Sequence, residues 1–183
     1  VLFVISSFSL YGEIKLPAIF GDNMVLQQQA EAAIWGTAAK NATVKITSSW
    51  NNKSYTVRAG SDGKWKIKVV TPSAGGPYEI SVSDGKALKL KNVMIGEVWI
   101  CSGQSNMEMP VKGYINQPVK GSNETIVTSS NPAIRLFTVK RASSLQLQDD
   151  FEGSWKNCEP ENVSEFSATA YYFGLMLNKV LNV

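Results

Sequence analysis

The sequence predicts a chain in two parts, an antiparallel β-sandwich followed by the opening of an α/β domain. Three observations predict this. Apolar and polar residues alternate with a period of two over about residues 14–95. Residues 97–101 then break the alternation with a continuous apolar run of Val98, Trp99, Ile100 and Cys101 behind Glu97. From 166 to 182 the apolar positions recur at helical spacing.

In the first part, Val44 and Ile46 share one strand face, as do Tyr55 and Val57. Trp65, Ile67 and Val69 repeat the pattern, followed by Tyr78, Ile80 and Val82, then Leu88 and Leu90. Asn51-Asn52, Ser61-Asp62-Gly63, Ala74-Gly75-Gly76 and Asp84-Gly85 separate these runs, with glycine supplying the positive φ of tight turns. Six or seven strands within some 80 residues make a small antiparallel sandwich.

Beyond Gly96 the character changes. Residues 97–101 suit a strand buried on both faces, as in a parallel sheet. Residues 102–110 form a polar, glycine-containing loop. Residues 111–132, with Gly113, Pro118, Gly121 and Pro132, read as a long active-site loop. The next strand is 133–139, and a polar connection follows through Trp155 and Cys158. The last helix covers 166–182, with Ser164 as its N-cap and Glu165 beside the positive end of the helix dipole. Phe166, Ala170, Phe173, Leu177 and Leu181 fall on one face of it. Strand, loop, strand, helix opens an α/β domain. Two parallel strands and one helix leave the sheet faces uncovered, so this second domain reads as incomplete. The boundaries are 13–95 for the β-sandwich and 96–183 for the α/β part.

The 183 residues carry 18 basic and 15 acidic side chains, a formal charge of +3. There is no basic run and no Lys/Arg stripe with interleaved aromatics, so no nucleic-acid partner is expected. Two cysteines, Cys101 and Cys158, are too few for a disulfide framework or a zinc site. They read either as one bridge in an oxidising compartment or as two buried free thiols, and the residue type favours the second. The sequence has no histidine. It therefore cannot complete a Ser-His-Asp triad from its own residues. Residues 1–12 are apolar and uncharged, with Ser7 and Ser9 at cleavage spacing. They read as a signal-peptide remnant rather than as a buried first strand. The run is too short to span a bilayer. The mature protein is expected to be soluble, with no membrane partner, and secreted or periplasmic. The oligomeric state cannot be read from the sequence.

The chemistry-bearing segment is Gly103-Gln104-Ser105-Asn106-Met107 at the end of the apolar run. In open α/β sheets ligands bind at the carboxyl ends of the strands. A serine there faces the cleft, and its N–H can point at a developing oxyanion. Gly103 gives the backbone room to turn. Met107 stands where the α/β-hydrolase elbow has its second glycine, so that elbow is not matched. On spacing alone, a solvated loop serine capping the following turn is the favoured reading of Ser105.

The block from Gly103 to Met107, preceded by Gly96-Glu97-Val98-Trp99-Ile100, resembles the nucleophile block of the sialic-acid-specific O-acetylesterases, members of the SGNH-hydrolase-like carbohydrate esterases. Residues 16–27 resemble the entry into that family's β-domain. Trp155, Pro160 and residues 166–173 resemble its first long helix. The resemblance spans about residues 16–180. It implies an SGNH-type three-layer α/β/α hydrolase domain after the β-sandwich, and Ser105 as nucleophile on an acetyl ester. The Ser105 N–H would then be an oxyanion donor, and Gly103, Gln104, Asn106 and Met107 would bind substrate or the oxyanion. The implied substrate is an O-acetylated glycan or sialic acid, attacked through an acetyl-enzyme with no metal or organic cofactor. The family's later glycine, polar oxyanion residue and Asp-x-x-His pair have no counterpart here, so the chain is expected to be inactive alone and to be an N-terminal fragment. The alternatives are an acetyl-xylan esterase on the same fold and a non-catalytic carbohydrate-binding or spacer module.

Three weaker features remain. Asp149, Asp150 and Glu152 read as a solvated loop rather than a cation site. Trp50, Tyr55, Trp65 and Tyr78 read as core packing rather than a sugar-stacking platform. Asn41, Asn52, Asn123 and Asn162 head glycosylation sequons.

Overall fold

The computed structural model describes residues 13–183, so the reading of residues 1–12 lies outside the described residues. The fold is mostly β-sheet with few helices. Seven strands come first: β1 (Val25–Gln27), β2 (Glu31–Thr37), β3 (Thr43–Ser48), β4 (Ser54–Arg58), β5 (Lys64–Val70), β6 (Gly75–Ser83) and β7 (Ala87–Gly96). They form a five-stranded sheet, ordered β1-β7-β6-β3-β4, and a two-stranded sheet of β2 and β5. The alternation read from the sequence is the reason the two sheets face each other. Val44, Ile46, Ile80, Val82, Leu90 and Val93 from the larger sheet meet Ile34, Trp65 and Val69 from the smaller in one buried cluster. Cross-strand pairs such as Ile46 with Val82 and Ile34 with Ile67 align apolar residues on the inner faces.

Two details depart from the sequence reading. The sandwich is not purely antiparallel, because β1 runs parallel to β7, from Val25 opposite Met94 to Gln27 opposite Gly96. β1 is three residues long, too short to show a period, and β2 is diluted by Ala32, Ala33 and Gly36. Gly36 is required by packing: a Cβ there would lie 2.3 Å from the Lys15 carbonyl oxygen, where Lys15 pairs with Thr37. The aromatic residues Trp50, Tyr55, Trp65 and Tyr78 pack on the core, as the sequence reading preferred. Trp65 is buried, and Trp50, Tyr55 and Tyr78 pack against the same cluster. The Val70 N–H donates to the Tyr55 hydroxyl, and the Val70 carbonyl accepts from Trp50 Nε1. Of the Leu88 and Leu90 pair, only Leu90 is buried.

The mixed region after Gly96 holds α1 (Ser105–Glu108), α2 (Ser122–Val127), β8 (Asn131–Phe137), β9 (Trp155–Cys158), α3 (Pro160–Glu165) and α4 (Ala168–Leu181). It differs most from expectation. Residues 97–101 form no strand, and Ile100 is 95% exposed. The apolar run encodes burial, but a strand also needs a ladder partner. β8, the expected parallel neighbour, pairs antiparallel with β9 instead. β9 itself was read as a polar connection, and the 111–132 loop contains α2. The terminal helix forms as α4, and a short helix, α3, precedes it in the expected polar connection. Pro160 sits at the start of α3. Ser167, not Ser164, caps α4 by accepting from the Ala170 N–H. Ala168, Ala170 and Tyr171 are its buried residues, while Phe173 and Leu181, placed on the inner face by periodicity, are half-exposed. Val111, Leu136, Cys158, Val163, Ala168 and Tyr171 make a second, smaller core.

Candidate active site

The polypeptide that leaves β7 carries the serine block across to α4. Ser105 opens the single turn of α1, with Gln104 as N-cap. The Met107 and Glu108 N–H groups both donate to the Gln104 carbonyl, at 2.9 and 3.2 Å. The Ser105 side chain is exposed and makes no hydrogen bond within the described residues. An exposed hydroxyl at the first position of a helical turn keeps its own N–H outside the helical ladder, since the first amides of a helix have no intrahelical acceptor.

The loop is held by the junction of α3 and α4. The Val111 N–H donates to the Phe166 carbonyl at 2.9 Å, and the Ala168 N–H donates to the Met109 carbonyl at 2.8 Å. The Thr169 hydroxyl donates to the Asn106 carbonyl at 3.1 Å, and the Ser167 hydroxyl lies 3.4 Å from Met107 Sδ. Arg141 pairs with Glu108 at 2.7 Å, both side chains largely in solvent. The Tyr114 hydroxyl donates to the Glu108 carbonyl at 3.0 Å. Of the residues predicted for the site, Met107 packs inward, while Gly103, Gln104, Ser105 and Asn106 are exposed. The reason for glycine at 103 differs from the one expected. Its φ lies outside the left-handed region, and a Cβ there would press on Met107 Cβ at 3.3 Å. Sequence reasoning did not find Ser167 and Thr169 as partners of this loop. Their signal was present in the 166–173 segment, where the family resemblance had already appeared.

Beside the loop opens a cavity of about 950 Å³, with Met107 and Glu108 on its wall. Val25 and Met94 contribute from the β-region, Phe137 from β8, and Phe173 from α4. Trp99 also lines it, edge-on to Phe173 with ring centroids 5.3 Å apart. Cys158 and Tyr171 adjoin in the second core. Burial pushes the Cys158 thiol up, and burial with the neighbouring Cys158 pushes the Tyr171 hydroxyl up to about 12. Both thiols are free, but Cys101 is exposed where it was read as buried, because residues 97–101 do not form the buried strand expected to contain it. No cluster of metal-ligating side chains occurs among the described residues. Asp149 meets Lys64 at 2.7 Å, and Asp150 accepts from the Ala18 N–H.

No protein-family model matches the chain. The sialate O-acetylesterase of Rattus norvegicus is 31% identical over 183 residues, covering 90% of this chain and 33% of that protein. The sialate O-acetylesterase of Homo sapiens is 29% identical over 186 residues, covering 91% and 35%. The chain thus spans about a third of the length of the curated relatives it matches. Among solved structures, a carbohydrate acetylesterase from Xanthomonas citri superposes with a TM-score of 0.87 at 31% identity, over 93% of this chain and 38% of that one. Over nine-tenths of its length, the chain is similar to about a third of the sialate O-acetylesterases' length, and it superposes on part of a carbohydrate acetylesterase.

Proposed function

We propose that the chain forms the nucleophile-bearing part of a carbohydrate O-acetylesterase, with Ser105 attacking acetyl esters on sialic acids or related glycans. One observation carries this reading. An exposed serine hydroxyl opens a helical turn beside a large cavity, in a chain 31% identical to a sialate O-acetylesterase. Oγ adds to the acetyl carbonyl while its proton passes to a base. The tetrahedral oxyanion is stabilised by N–H donors such as that of Ser105. Collapse releases the sugar hydroxyl, which takes up the proton, and leaves acetyl-Ser105. Water then attacks the acetyl group and frees acetate. Met107 lines the cavity, and Gly103, Gln104 and Asn106 flank the nucleophile on the exposed side of the turn.

The base is the missing part. With no histidine among its 183 residues, the chain cannot activate Ser105 by itself in the usual way. The division into a β-sandwich at 13–95 and an SGNH-type α/β/α domain from 96 belongs to the same reading. The bare Val98-Trp99-Ile100 run and the bare face of α4 are surfaces that such a layered domain would cover. A location outside the cytoplasm also belongs to it and rests on the apolar residues 1–12. Acetylated xylan is a second substrate candidate, because the Xanthomonas neighbour is described more broadly as a carbohydrate acetylesterase.

Acetate release tests the reading. The protein as its full reading frame encodes it should deacetylate O-acetyl sialic acid, faster than acetylated xylan. Ser105→Ala should lower kcat by roughly 10³-fold or more. Undiminished turnover in Ser105→Ala would refute the assignment. The 183-residue chain alone is expected to release no more acetate than its Ser105→Ala variant.

A further inference from the structure

The backbone ladder between β1 and β7 ends at Gln27 opposite Gly96, extended only by the Gln28 N–H to the Gly96 carbonyl at 2.8 Å. Eight residues then separate Gly96 from Ser105, and they form neither strand nor helix. A connection of that kind would move freely unless side chains tied it down.

Three side chains do so. Gln27 Oε1 accepts from the Val98 N–H at 2.9 Å, while Gln27 Nε2 donates to Glu97 Oε2 at 3.2 Å. Gln28 Oε1 accepts from the Ala74 N–H at 2.9 Å, while Gln28 Nε2 donates to Glu97 Oε1 at 2.8 Å. Each carboxamide acts as a peptide group would in one more residue of strand, taking one backbone N–H and giving one N–H. Each Glu97 oxygen is held by a different glutamine. The network joins the end of β1, the approach to β6 and the exit from β7. Its bonds to an ionised acceptor are of the stronger, charge-assisted kind. The two amides also hold the Glu97 carboxyl below its usual range.

We infer that Glu97, held by Gln27 and Gln28, is a positioning residue that fixes the direction in which the Ser105 arm leaves the β-region. The β-region is then part of the catalytic apparatus rather than a spacer beside it. Two points hold the arm: this latch at its root, and the Trp99–Phe173 contact further along. The inference rests on Ser105 being the nucleophile.

The test is backbone order by ¹⁵N relaxation and amide exchange on the 183-residue chain. In the unmodified chain, the order parameters of residues 98–104 should lie near ~0.8, and in Glu97→Ala they should fall below ~0.6. Val98 amide exchange should accelerate at least ~10-fold, as expected for local opening, while the amides of Ile34 and Val69 keep their protection. Glu97→Gln retains one acceptor oxygen and should lie between the two. Gln27→Leu removes the Val98 acceptor with Glu97 intact and should loosen the same residues, so it decides the matter if Glu97→Ala does not fold. A general loss of stability would instead speed Ile34 and Val69 in proportion. That pattern, unchanged order in both variants, or an arm already disordered in the unmodified chain would overturn the inference. These readouts do not depend on turnover, so a failed acetate assay and a failed latch are separate results.

Discussion

The two regions of this chain are stabilised to very different degrees. In the β-region every strand has a ladder partner, and the inner faces of two sheets close on one another around fully buried Ile34, Ile46, Ile80 and Val82. In the mixed region a few residues around Val111, Cys158 and Tyr171 are buried, while Val98, Trp99, Ile100, Met176 and Val180 stand in solvent. The proposed nucleophile belongs to the second region, tied to the first through Glu97. On the proposed reading, stability and chemistry fall to different parts of the chain, and residues 97–104 link them.

Dividing the chain should show this contrast most strongly. Residues 13–96 expressed alone should unfold in one cooperative denaturant transition. Residues 97–183 alone should bind a hydrophobic dye and show none, as a region without a closed core does. A cooperative transition in the second piece would break the comparison. Single substitutions refine it. Ile46→Ala should cost about 2–5 kcal/mol by denaturant unfolding, the usual range for a buried large-to-small change. Phe173→Ala should cost only about 1 kcal/mol, roughly an exposed aromatic pair. Ser167→Ala should cost about 1 kcal/mol through the lost cap of α4, and should loosen the Met107 contact beside Ser105. The last effect involves no loss of stability. Iodoacetamide should label Cys101 and spare Cys158, read by peptide mass. Cys158 is 2% exposed and its thiol pKa is raised by burial, so less thiolate forms at any given pH. Equal labelling would mean that the second core opens.

The same contrast explains what the sequence revealed. β3 to β7 were legible because alternating residues such as Val44, Ile46, Val82 and Leu90 face one closed core. β1 was not, since Val25–Gln27 is too short to carry a period. Residues 97–101 were misread because hydrophobicity encodes the wish to be buried and is silent about the partner. The Ser164 cap was misread because Phe166 continues the apolar rhythm across the break between α3 and α4, and only the backbone shows that Ser167 begins the helix. Ser105 was singled out by the resemblance of its block, whereas the hydrogen bonds of Glu97 to Gln27 and Gln28 had no signal in the sequence. Gln27 and Gln28 stand about 70 residues from Glu97, and no local pattern links amides to a carboxylate at that range.

A fluorophosphonate probe tests most directly whether the Ser105 hydroxyl is the reacting group, using the protein as its full reading frame encodes it. The account predicts a single stoichiometric adduct on the peptide containing Ser105, abolished in Ser105→Ala with the fold intact. An adduct on a different serine that persists in Ser105→Ala would contradict it.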